Sequence, residues 1–361
     1  MQAAISLARF TFKNYGIRQR MHPLPKSVIP HGSHRRSASA NPGCRSVRKP
    51  SAAATANAVS KHPKLDRPAP RTGGTAILKV VLTLLVRDEE DIIGENLEFH
   101  LSRGVDFVIA MDNLSEDGTP RVLKEYERRG RLLYLHQAED NFDQARWVTH
   151  MARLACTDYH ADWVLNGDAD EFWWPAEGDL KQTIRRVPRS AEALIVERLN
   201  FLPRPRDKTN FADAMIYREV QSRNTMGAPL PPKLCHRAFA DIEVRHGNHK
   251  ASHGGRLLNA IAAPITILHF PVRSYRQLRN KIEKGGAAYG RNREVPAAVG
   301  ATWRYLYRMY REGGLQAYFE SLVLTDAALA EGIETGSLIA DDRLSRALAA
   351  LSSSRAEERK Q

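Results

Sequence analysis

The stretch Trp163-Val164-Leu165-Asn166-Gly167-Asp168-Ala169-Asp170-Glu171-Phe172-Trp173-Trp174 constrains this chain more than any other. It begins as a short apolar run and turns abruptly acidic at Asp168, Asp170 and Glu171. A buried strand that runs into such a corner places carboxylates at the mouth of a sheet, the edge where open α/β sheets bind ligands. Two aspartates two apart, on a chain turning out of a strand, can face one hard cation, and oxygen donors suit Mg or Mn. An Asp-x-Asp alone is also an ordinary turn sequence. The order of elements before it weighs between the two readings.

That order is regular. Residues 79–86 are β-branched and Leu-rich at strand length, and they end in Arg87-Asp88-Glu89-Glu90. Ile92, Ile93, Leu97, His100 and Leu101 then recur at helical spacing up to Gly104. Residues 106–111 predict a second strand, Thr119-Pro120 a helix start and Gly130 its end. A third strand follows over 132–135, then a helix over 142–159 with Trp147, Met151, Leu154 and Ala155 on one face, then the strand 163–165. The alternation predicts an α/β fold with a doubly wound, mostly parallel sheet flanked by helices. In such a sheet the strand ends carrying Asp88, Asp112, Asp117, Asp168 and Asp170 share one edge. Acidic ends on three strands are harder to explain as turns than one. Neither Gly-x-Gly-x-x-Gly nor Gly-Lys-Ser/Thr follows the first strand, so a dinucleotide fingerprint and a P-loop are excluded.

Past the corner the pattern loosens. A helix is expected over 179–187, and strands over 193–201, 215–220, 233–239 and 265–270. A Pro- and Gly-rich loop spans 226–232, and a His- and Gly-rich loop spans 245–255. A basic helix is expected over 274–288, then helices over 303–324 and 341–351, with a polar tail fraying from Ser352.

The formal charge of +13 sits in one place. Residues 1–75 hold 14 Lys or Arg against the single acid Asp66, so the remainder is neutral and the high pI says nothing about its substrate. This segment has no apolar periodicity and is expected to be a disordered basic tail. Its Arg- and Ser-rich composition faintly resembles a transit peptide; an over-extended start, with Met21 as an internal alternative, is an equal reading. Nucleic-acid binding would rest on this tail alone and is not expected. The expected domains are therefore 1–75 as tail, 76–290 as the α/β domain and 291–361 as a helical extension. Cys44, Cys156 and Cys235 lie far apart, which suggests neither a disulfide framework nor a cysteine zinc site. No apolar run reaches the length of a membrane span.

Three blocks together, in this order and spacing, resemble the signatures of family 2-like glycosyltransferases. They are Leu84-Leu85-Val86-Arg87-Asp88-Glu89-Glu90, then Asp112-Asn113-Leu114-Ser115-Glu116-Asp117-Gly118-Thr119, then Asn166-Gly167-Asp168-Ala169-Asp170-Glu171-Phe172. The Asp-Glu-Phe ending is also similar to family 92-like enzymes. Pro232-Lys233-Leu234, the His-rich loop and Leu268-His269-Phe270-Pro271-Val272-Arg273-Ser274-Tyr275 with Lys281 fit the same branch, so the resemblance covers about residues 77–290. It implies a GT-A fold, a nucleotide-sugar donor that is usually a UDP-sugar, a divalent cation (Mn or Mg) and inversion at the anomeric carbon. By position it puts Arg87 and Glu89 or Glu90 at the base and ribose, and Asp112 and Asp117 at the nucleoside. Asp170 becomes the direct metal ligand and Asp168 lies nearer the ribose. Lys233, Arg273 and Lys281 can neutralise the departing diphosphate; a solvated surface cation is an equal reading for Lys281 and the less favoured one for Lys233 and Arg273. His269 is either a late metal ligand or a satisfied core histidine.

An inverting transfer also needs a base near the acceptor hydroxyl. Glu171 adjoins the acidic corner and is either that base or structural; Glu197, Asp213 and Asp241 lie in the later half. His246, His249 and His253 have spacings that could hold zinc, but a flexible acceptor loop is favoured. Phe172, Trp173 and Trp174 either stack on a sugar or pack a sheet edge. Tyr305, Leu306, Tyr310, Leu315 and Tyr318 either pack on the domain or touch a membrane. The expected activity is thus transfer of a sugar to a glycan or lipid-linked acceptor. The expected place is the cytoplasm, with room for peripheral association at the inner face of the membrane. A glycan-binding protein with a degenerate site, and a metal-dependent phosphohydrolase or nucleotidyltransferase, are the competing classes.

Overall fold

Strand formation begins where β-branched residues and Leu first run together, at β1 (Val80–Val86), which is buried along almost its whole length. The computed structural model describes residues 78–205, 210–296 and 299–358; the tail expected over 1–75 lies outside them. β1 is followed by α1 (Ile93–Ser102), β2 (Phe107–Asp112), α2 (Thr119–Arg128), β3 (Leu132–His136), α3 (Gln144–Thr157) and β4 (Trp163–Asp168). β1 pairs in parallel with β2 and β4, and β2 with β3, so the ends of these strands share one edge. Alternation sends Val80, Leu82, Leu84 and Val86 into one core, together with Ile93 and Leu97 of α1 and Leu123 of α2. Val81 enters a second core on the opposite face, against Trp147, Val148 and Met151 of α3.

The chain then departs from a simple βα alternation. β5 (Glu171–Pro175), α4 (Leu180–Arg185), β6 (Ala193–Asn200), α5 (Phe211–Ala214) and β7 (Tyr217–Glu219) lead to β8 (Lys233–Arg237). Three short strands follow, β9 (Glu243–Val244), β10 (Ala251–His253) and β11 (Arg256–Leu257), and then the long β12 (Ala260–His269). The chain closes with α6 (Tyr275–Arg291), α7 (Ala301–Arg311), α8 (Leu315–Leu322), α9 (Asp326–Glu334), β13 (Leu338–Ala340) and α10 (Arg343–Glu358). The main sheet has the order β3-β2-β1-β4-β8-β6-β12-β5. β6 and β12 run parallel, whereas β8 is antiparallel to both its neighbours and β5 to β12.

Several expected elements change. The helix expected over 303–324 is two, because Gly313 takes φ +78°, a left-handed turn that suits glycine. The C-terminal helix does not fray at Ser352 but runs to Glu358, tied by an Arg355–Glu98 pair at 2.6 Å. β5 was not expected at all: the aromatic run turns back as an edge strand on β12. Phe172 and Trp173 are thereby fully buried in the main core, which assigns them to packing and not to a sugar face. Tyr305, Leu306, Tyr310, Leu315 and Tyr318 join Leu278 and Ile282 of α6 in a small separate core. Among the described residues no helix is long and apolar enough to cross a membrane.

Candidate functional site

The acidic corner sits where β4 ends and β5 begins. A buried amide and imidazole beneath it fix the turn: Asn96 Nδ2 donates to the carbonyls of Ala169 and Glu171, both at 2.9 Å. His100, four residues on, accepts from Trp173 N at 3.1 Å through Nε2 and donates from Nδ1 back to Asn96. Burial lowers the His100 pKa to about 4, so it stays neutral and can keep both roles. Sequence reasoning placed His100 on α1 but gave neither residue this task; their spacing of four on a buried face was the available signal.

Asp170 and Glu171 are neighbours with opposite fates. Asp170 is almost fully buried, which alone would raise its carboxyl. Lys281 (Nζ to Oδ2 2.6 Å), His269 and Arg273 outweigh burial and hold it well below the usual carboxylate range. Glu171 is fully buried, and burial lifts it to about 7 although Lys233 (3.3 Å) and Arg198 (3.5 Å) oppose the rise. Its Oε2 also accepts from Asp168 N at 3.2 Å. Asp168, a third exposed, is held by Lys233 at 2.6 Å.

α6 and the turn before it lay a row of cations along this edge. Arg273, buried, pairs with Glu89 and with Asp91 (2.8 Å). Lys281 stands between Asp170 and Glu89 (3.5 Å), and Lys284 reaches Asp88 (2.6 Å) and Glu116 (2.7 Å). Helical spacing explains the reach, since Lys281 and Lys284 are three apart and point the same way. Burial would push the Lys281 ammonium down, but Asp170 and Glu89 push it further up, so it remains charged.

At the ends of β1 to β3 the predicted nucleoside residues are mostly engaged by backbone. Asp112 accepts from Ser115 N (3.1 Å) and Tyr134 Oη (2.9 Å). Asp117 accepts from Glu90 N (3.0 Å) and Thr119 N (2.9 Å), which shapes the start of α2. Arg87 pairs with Asp140 at 2.7 Å. Arg87 Nε, Asn113 Oδ1 and Asn141 Oδ1 are buried without a hydrogen-bond partner, and all three side chains touch the segment 139–141 or belong to it. Buried polar atoms in that state call for a water or a ligand.

The three loop histidines go to separate partners. His249 Nδ1 bonds the Pro232 carbonyl (2.7 Å), His253 pairs with Asp241 and stacks on Phe239, and His246 Nδ1 has no partner among the described residues. No group of three or more His, Cys, Asp or Glu side chains is arranged to hold a metal among the described residues.

Residues 82–238 match the sequence profile of Glycosyltransferase family 92. The match covers less than half of the chain, and the matched segment is similar to that family's domain. It runs from β1 to the end of β8 and carries Asp168, Asp170, Glu171 and Lys233, while His269, Arg273 and Lys281 lie beyond it. No match was found among curated proteins. Among solved structures the chain is similar to S. aureus TarS 1–349, at 13% identity over 72% of this chain and 92% of that one, TM-score 0.36. TarS 1–349 in complex with UDP-GlcNAc gives 12%, 72% and 93%, TM-score 0.37. Glucosyl-3-phosphoglycerate synthase from Mycobacterium tuberculosis, in complex with Mn2+, UDP and glucosyl-3-phosphoglycerate, gives 15%, 38% and 50%, TM-score 0.26.

The family resemblance implies a divalent cation, and His269 and Asp170 bear on whether one fits. His269 Nδ1 lies 2.7 Å from Asn200 Oδ1, a bond that assigns its proton to Nδ1 and leaves the Nε2 lone pair open. Nε2 stands 3.8 Å from Asp170 Oδ1. Burial pushes the His269 pKa down to about 3, although Asp170 opposes this, so the ring is neutral. An ionised carboxylate oxygen and an imidazole nitrogen at that separation, the imidazole oriented by an amide, fit two positions on a Mn-type ion. Such an ion takes its remaining ligands from phosphate and water.

Proposed function

We propose that this protein moves a sugar from a nucleotide-sugar donor, of the UDP-linked kind, to a glycan or lipid-linked acceptor, with inversion at the anomeric carbon and dependence on a divalent cation. The observation that carries the proposal is Asp170: a buried, ionised carboxylate at a strand end, bracketed by the open Nε2 of His269 and the ammonium of Lys281. Asp170 and His269 would hold the cation, with Asp168 close by. When bound, the cation would stabilise the charge that develops on the diphosphate.

The chain's own groups have distinct tasks. Lys281 and Lys233 bring positive charge to the diphosphate side of the corner, where preorganised cations lower the barrier for a leaving anion. Arg273 is a positioning residue that bridges Glu89 and Asp91 beside Lys281. Arg87, Asn113 and Asn141 offer unpartnered atoms to the nucleoside, and Asp112 and Asp117 hold the backbone around them. Glu171 is assigned to structure: it ties Lys233 and Arg198 beneath the corner. The working place is the cytoplasm, peripheral association at the inner membrane face included.

The test is titration of UDP, GDP and UDP-sugars into the protein with and without Mn2+, beside Asp170→Ala. Metal-dependent binding of UDP, weakened at least tenfold in Asp170→Ala, is the expected result. Absence of nucleotide binding under every metal condition would remove the donor site and with it the proposal.

A further inference from the structure

Each acid that the sequence offered as a base is engaged elsewhere or turned away from the corner. Glu171 has no exposed surface and is bridged by two cations. Asp213 accepts from Ser345 Oγ on α10 at 2.6 Å. Asp241 is bound to His253 and to Gly254 N at a turn. Glu197 alternates with Arg198 and Asn200 along β6; those two reach Glu171 and His269, so Glu197 points to the other face.

Another carboxylate is wired into the site. Glu219, at the end of β7, is half-buried. Its Oε2 accepts from Arg223 N (3.2 Å) and from Asn200 Nδ2 (3.3 Å). Asn200 Oδ1 in turn holds His269, whose Nε2 faces Asp170. The wall carrying Glu219 is fastened to the same asparagine: Asn200 N donates to Ser222 Oγ and Asn200 Nδ2 to the Arg223 carbonyl, both at 2.8 Å. Glu219 Oε1 has no hydrogen-bond partner among the described residues, so one oxygen is pinned and the other is open. Burial raises the carboxyl above its ordinary value, against the hydrogen bonds from Arg223 and Asn200. A base needs that direction, since proton transfer is most effective when its pKa approaches working pH.

We infer that Glu219 is the general base of the transfer, an inference that rests on the transferase reading above. The acceptor oxygen forms the new bond to the anomeric carbon while the bond from that carbon to the diphosphate oxygen breaks. The broken bond's electron pair leaves on the diphosphate, and the acceptor's hydroxyl proton goes to Glu219 Oε1, from which it returns to solvent.

The experiment uses the full chain, Mn2+ and the probes UDP-glucose, UDP-galactose and UDP-GlcNAc with water as acceptor. UDP binding and UDP release are read separately. Glu219→Gln keeps the size of the side chain and removes the base. Release is expected to fall by roughly 10²- to 10⁴-fold with UDP binding retained. Azide, which carries no proton to remove, is expected to restore release to Glu219→Ala. Unchanged release in Glu219→Gln overturns the assignment while leaving the transferase reading intact. Wild-type protein that binds no UDP overturns both. Should Glu219→Gln fail to fold, Glu219→Asp decides: an intermediate rate with a displaced acid limb in the pH profile supports the assignment, and a wild-type rate and profile overturn it.

Discussion

The two sides of the site are built on different plans. On the nucleoside side, consecutive βα units bring Asp88, Asp112, Asp117 and Asp168 to one edge, and local backbone satisfies several of them. On the acceptor side, polar groups depend on partners distant in sequence. Asn200 holds His269 through the parallel pairing of β6 with β12, and β7 is paired by β13. α6 joins the sides by returning Lys281 and Lys284 to the strand ends of the first half. The difference teaches that an acidic edge can be assembled by local order, whereas the polar chain from Glu219 through Asn200 to His269 must be assembled by tertiary contact.

The most severe way to break this comparison is Lys281→Ala. It leaves Asp170 and Glu89 short of their shared cation, and stripping one partner from a buried pair costs about 3–5 kcal/mol. Urea unfolding should show that loss, and UDP release should fall with it. Arg279→Ala on the same helix removes an exposed 3.7 Å pair with Glu283 and a contact with Tyr310, and serves as the contrast, with little change in the urea midpoint expected. Equal losses in the two variants would mean that α6 does not join the sides through Lys281.

The boundary between the sides runs between Asp170 and Glu171, and pH can sharpen it. Asp170 has a depressed pKa, so its contribution to stability is present above about 4 and is lost as pH falls through the folded value. Glu171 behaves oppositely. Raised from 4.5 to about 7, its favourable contribution is complete below 4.5 and lost as pH rises to about 7. The loss is on the order of 3 kcal/mol. Glu171→Gln should flatten the decline in urea midpoint between pH 4.5 and 7; a decline as steep as that of wild type would place the titration elsewhere.

The smallest expected effect is Gly247→Ala. Gly247 has φ +75°, and a Cβ there would stand 2.4 Å from His249 Nε2. Left-handed backbone costs a non-glycine residue about 1–2 kcal/mol, and the ring must also shift. A lower melting temperature with UDP binding intact is expected. Loss of UDP binding instead would show that His249 serves the donor.

The sequence made the first side legible because strand ends, turns and acids recur there at short range. β1 to β4 and the acidic corner stand where the periodicity put them. Lys281 and Arg273 were named as candidates, yet nothing local told which acids they would meet. Phe172 and Trp173 were ambiguous because an aromatic pair after a turn can face either core or ligand; the antiparallel pairing of β5 with β12 buries them. Glu219 was missed for a related reason. It is an ordinary acid in a short strand, and only Asn200, 19 residues earlier, connects it to His269, a further 69 residues on from Asn200.

By itself, then, the sequence determined the α/β alternation, the shared acidic edge and the glycosyltransferase blocks, because these follow from periodicity and short-range turn chemistry. The tertiary structure alone decided which carboxylate stays ionised, which is lifted toward neutral pH, and which is left with an open oxygen. Those outcomes depend on burial and on cations brought from distant elements, and neither is encoded within a single local window.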